Sequence, residues 1–96
     1  MNLKVEIKNI EPKTDCWTII NPLRDYRNFL WSLSYINCYK NNESYSIINR
    51  KAYLYDCIIN NLMNLNNYKY NCKGFKELKQ DCQELITKIK ALEVYI

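Results

Sequence analysis

The chain has 96 residues and a formal net charge of +4, with 48% apolar and 25% charged residues. That is the size of one compact domain, and the apolar fraction is too high for a chain that stays disordered. The sequence has no histidine, which removes Ser-His-Asp, Cys-His and His-metal constellations together; its single glycine, Gly74, removes glycine-rich phosphate loops and the G-x-S-x-G elbow.

Asparagine (14), isoleucine (12), lysine (11), tyrosine (9) and phenylalanine (2) make up half of the chain, whereas Gly, Ala, Pro and Arg supply eight residues. The abundant types share AT-rich codons. A coding bias accounts for such abundance as well as function does, so function must be argued from position.

Leu3, Val5 and Ile7 alternate with Lys4, Glu6 and Lys8, which predicts a strand over about 3–9. Glu11-Pro12-Lys13-Thr14-Asp15 reads as a turn, and Trp17-Thr18-Ile19-Ile20 as a second β-prone run over about 16–20. Asn21-Pro22 has the chemistry of a helix start, an Asn cap before a proline at the first helical position. Leu23, Tyr26, Leu30 and Leu33 follow at helical spacing, with Phe29 and Ile36 widening the stripe, and predict a helix over about 22–40.

A second helix is predicted over about 46–66, with one stripe at Ile48, Ala52, Tyr55, Ile59 and Leu62 and a neighbouring one at Ile47, Leu54, Ile58 and Leu65. Two stripes make it the central helix. Phe75, Leu78, Cys82, Leu85, Ile89, Leu92 and Ile96 form a heptad seam that predicts a third helix over about 74–95. The expected architecture is mainly α (α+β): one domain, 1–96, with a short N-terminal β-hairpin packed on a three-helix antiparallel bundle. The seam closes the monomer core or pairs two chains in a homodimer, since both uses demand the same spacing.

Five cysteines (Cys16, Cys38, Cys57, Cys72, Cys82) lack the C-x(2–4)-C spacing of zinc ligands and the pattern of a disulfide framework, so they read as reduced and mostly buried. No cofactor or metal is expected. Glu6-Ile7-Lys8 matches the E-x-K fragment of metal-dependent nucleases, but no second acid stands on an adjoining strand, and an exposed polar edge explains it. No apolar run reaches the ~20 residues of a membrane span and no secretory leader is visible, so a cytoplasmic location is expected.

Two binding readings remain. Arg24, Tyr26, Arg27, Arg50, Lys51 and Tyr53 fall at the rims of the first two helices and carry the residue types that concentrate binding energy at protein interfaces. Tyr68, Lys69, Tyr70, Lys73, Lys76 and Lys79 form the alternative, a basic and aromatic region suited to nucleic acid but diluted by Glu77 and Asp81. Small size, codon bias and missing catalytic groups resemble accessory proteins of phages and mobile elements. The expectation is therefore a non-enzymatic inhibitor or regulator of a host nucleic-acid-handling, defence-type protein.

Overall fold

The structure, a computed structural model, describes residues 2–12, 14–38, 44–67 and 73–93. It contains four helices, α1 (Leu3–Lys8), α2 (Trp17–Cys38), α3 (Ser44–Asn66) and α4 (Lys73–Glu93), and no strand among the described residues. The predicted β-hairpin is therefore absent, and the fold is a helical bundle.

Both strand predictions fail for local reasons. Leu3 and Ile7 alternate with polar residues, yet they also stand at i, i+4, and Ile10 follows at i+7. The helical reading wins because the Asn2 side chain accepts a hydrogen bond from Val5 N at 3.3 Å and caps the segment. Ile7 and Ile10 are buried, and Val5, which a strand would have turned to the core, is half exposed.

Residues 17–20 are the first turn of α2 rather than a strand. Asp15 Oδ1 accepts from Trp17 N at 3.1 Å, and Ile20 N donates to Cys16 O at 2.9 Å, so the helix starts before Asn21-Pro22 and carries Pro22 inside it. An internal proline removes one backbone hydrogen bond and costs about 3 kcal/mol. Burial of Ile19, Ile20 and Leu23 offsets that cost at about 1.5–3 kcal/mol each. The link between α1 and α2 is a turn closed by Thr14 N donating to Glu11 O and Glu11 N donating to Thr14 Oγ1.

α3 is the shared wall, packed against α2 on one side and α4 on the other, while α1 lies on α4. It buries Ile48, Ala52, Leu54, Ile58, Ile59, Leu62 and Leu65, positions drawn from both of its stripes. The main core joins all four helices, from Ile7 of α1 through Ile20 of α2 to Phe75, Cys82, Ile86 and Ile89 of α4. A second, smaller cluster of Leu30, Ile48 and Ala52, with Leu33 and Tyr55 against it, involves α2 and α3 alone. The α4 seam from Phe75 to Leu92 thus packs inside the monomer, and Ile96 lies outside the described residues. The molecule is elongated, 48 Å long and 21 Å across.

Ile58 sits at the centre of α3 with no exposed surface. Ile58→Ala is expected to lower unfolding free energy by about 2–5 kcal/mol in urea titrations, while circular dichroism of the parent in EDTA and reductant shows a helical spectrum. A coil spectrum there would refute folding by helix packing alone.

Candidate protein-docking surface

The six sequence-selected interface residues fall in three separate places. Arg27 bridges α2 and α3: its Nη1 donates to Asp56 Oδ1 at 2.6 Å, Nη2 donates to Asn28, and the guanidinium lies 4.5 Å from the centre of the Trp31 ring. Lys51 is only 7% exposed, and its ammonium donates to the Tyr26 hydroxyl at 3.5 Å. Tyr26 in turn packs edge-on against Tyr55 and stacks on Phe29. These contacts make Arg27, Tyr26 and Lys51 part of the α2–α3 joint.

The remaining three stay at the surface. Arg24 lies over the Trp17 ring at 5.4 Å. Arg50 and Tyr53 line a shallow depression with Ile47 of α3 and Leu92 of α4, and the Tyr53 hydroxyl has its pKa raised by a hydrogen bond with the Cys57 thiol.

The largest apolar exposure lies elsewhere, on the distal half of α2. Residues 28–38 contain no charged side chain, yet Phe29 (55%), Trp31 (42%), Tyr35 (65%) and Ile36 (51%) are all exposed. On a helix these positions spread across the whole face turned away from α3, with Ser32 at its middle. Asn28, Trp31, Ser32, Tyr35 and Ile36 line a shallow depression of about 470 Å³ there. Periodicity alone assigned Phe29 and Ile36 to the buried stripe. The signal that distinguishes them is the excess of apolar positions, more than one neighbouring helix can cover.

Of the basic and aromatic region, Tyr68, Lys69 and Tyr70 lie outside the described residues. Lys73 opens α4, Lys76 is exposed, and Lys79 is committed to the fold. The Lys79 ammonium donates to Lys8 O at 2.9 Å and Ile10 O at 2.7 Å, and Gln83 Nε2 donates to Lys4 O at 2.9 Å. The two side chains of α4 thereby hold the backbone of α1. Nearby, Glu77 and Asp81 border a groove with Asn64 and Asn67, giving this end acidic as well as basic character.

The Glu6 and Lys8 pair lies on α1, so the strand-borne geometry of a nuclease site does not arise. No cluster of metal-ligating side chains occurs among the described residues, and Cys16, Cys57 and Cys82 are free thiols. Burial pushes the Cys82 thiol up to about 12, against a hydrogen bond with Asn61 that lowers it, and burial also raises Cys16. Both are inert thiols, the opposite of the depressed pKa that a nucleophilic cysteine needs.

No protein family matches the chain, and no curated protein or solved structure is significantly similar to it. The class is accordingly defined by structure alone: a small helical bundle with one uncharged aromatic face. No helix among the described residues is long and apolar enough to cross a membrane.

Two measurements follow from these contacts. Lys79→Met removes two charge-assisted hydrogen bonds from a partly exposed site, a loss of about 1–2 kcal/mol. Amide exchange in α1 should quicken about tenfold while α3 is unchanged; equal rates in parent and variant would show that Lys79 does not tether α1. Cys82 ionises near pH 9 when unfolded but only near 12 when folded, so the folded state holds more protons between those values. Its contribution to stability is complete below pH 9 and falls by up to ~1.4 kcal/mol per pH unit above it. Urea unfolding at pH 8, 9.5 and 10.5 should show a steeper decline for the parent than for Cys82→Ala.

Proposed function

We propose that the chain is a non-catalytic protein-binding module that docks through the outer face of α2. The observation that carries this reading is the uncharged stretch 28–38 with Phe29, Trp31, Tyr35 and Ile36 exposed together. The largest apolar patch of a monomeric protein, commonly a few hundred Å², is often a functional surface, and aromatic side chains are the types that dominate binding energy at interfaces. Aromatic rings offer large rigid area at low conformational cost, which suits Trp31 and Tyr35 as anchors.

Small size, codon-biased composition and the missing histidines are what support the narrower proposal that the partner is a larger nucleic-acid-handling protein, regulated or inhibited by the chain. A basic surface is the weaker reading, because Lys79 is bound to α1 carbonyls and Glu77 and Asp81 flank what is left.

Trp31→Ala and Tyr35→Ala each remove an exposed ring; neither residue belongs to a buried cluster, although the Trp31 ring also lies on Arg27. Each should reduce recovery of a stoichiometric protein partner by tenfold or more in affinity capture, with helical circular dichroism unchanged. Undiminished capture by both variants, or recovery of nucleic acid alone, would refute this assignment of the surface.

A further inference from the structure

We infer that the uncharged face of α2 is covered by α2 of a second copy of this chain, the two helices crossing antiparallel near Ser32. This rests on the reading of that face as a docking surface and names what covers it when no larger partner is bound.

Three observations point to self-pairing. The first is charge. The chain carries a net charge of +4, so two copies carry like net charge, whereas residues 28–38 contribute none and can be superposed on themselves without like-charge contacts. The nearest charge is Arg27, at the rim of this stretch on the Trp31 ring, and it is paired with Asp56; Arg24 and Asp25 lie one turn before.

The second is shape. Ser32 is a small residue at the centre of the face, flanked by Phe29 three positions before and Ile36 four positions after. A two-fold axis at the crossing sets Phe29 of each copy against Ile36 of the other and leaves the small side chain where the helices approach closest. The Ser32 hydroxyl donates to Asn28 O at 3.1 Å, so its proton is already satisfied within the helix when the face is buried.

The third is area. At ~200 Å² per large side chain and the exposures given above, the four apolar residues offer about 400 Å² per copy. Two copies, with Asn28 and Ser32 added, bury at most about 1,000 Å², the range of weak, transient interfaces. That area fits a reversible dimer. The Arg50 and Tyr53 depression borders α4 and stays outside the crossing, so each dimer presents it twice.

Sedimentation equilibrium on the full chain tests the inference. The mass should rise from 11.6 kDa toward twice that value as concentration increases from about 1 to about 200 μM. Ser32→Arg, which blocks close approach without removing apolar area, and the double variant Phe29→Glu with Ile36→Glu should both stay at 11.6 kDa and keep their helical spectra. A parent that remains at 11.6 kDa throughout overturns self-pairing. So does a dimer that both variants leave intact. If the parent is monomeric and the same variants lose a captured protein partner, self-pairing fails while the docking reading stands. If the dimer forms as described but no other protein is captured, self-pairing stands and the wider regulatory role fails.

Discussion

Everything in this molecule leans on α3. It is the one long helix packed on both of the others, and it does so by burying two adjacent stripes rather than one. A single stripe of about 100° can line only one contact. The doubled stripe lets α2 and α4 settle on neighbouring sides of the same helix, and Ile7 of α1, which lies on α4, joins the same core. Asn60 and Asn64 of α3 are exposed on its outer side, whereas its Lys51, Asp56 and Asn61 are drawn into the joints with α2 and α4. The Arg27–Asp56 pair closes the α2–α3 joint at its edge, part-buried, where it adds orientation more than stability.

The same arrangement accounts for the exposed face. Near the N-terminus of α2 the core is built from four helices, whereas the smaller cluster around Leu30 draws on α2 and α3 only. A helix with one neighbour has use for one apolar stripe. Distal α2 carries apolar residues almost all the way round, and the surplus cannot be absorbed by folding. Nothing comparable occurs on α4, where Lys76, Gln80, Glu84, Thr87 and Lys88 are exposed and no large apolar residue stands among them.

How much could be read from the sequence depended on how many structures each segment's spacing allowed. The α4 heptad allowed only a helix, though its spacing suited a monomer core and a dimer alike, and Phe75, Cys82 and Ile89 are buried within the chain. The paired stripes of α3 were equally explicit. The first 20 residues were not, because positions 3, 7 and 10 satisfy a helical repeat while 3, 5 and 7 satisfy a strand repeat. The deciding contacts are a cap at Asn2 and an Asp15 carboxylate that starts α2 five residues before the proline. Propensity favoured strands at Trp17-Thr18-Ile19-Ile20, and tertiary burial of Ile19 and Ile20 overrode it. For the candidate surface, residue type identified arginines and tyrosines, but only packing separates Arg27 and Lys51, which are enclosed, from Trp31 and Tyr35, which are not.

The tether between α4 and α1 also bears on how the chain assembles. α2, α3 and α4 are consecutive, so their contacts close over short spans, whereas the bonds from Lys79 and Gln83 reach back across 69 to 79 positions. Loop closure over such a span has an entropic cost that is recovered only once the distant partners are in place. A six-residue helix cannot hold itself together in water while it waits. α1 is thus expected to be the last element gained in folding and the first lost in opening, its docking making the two ends of the chain depend on one another.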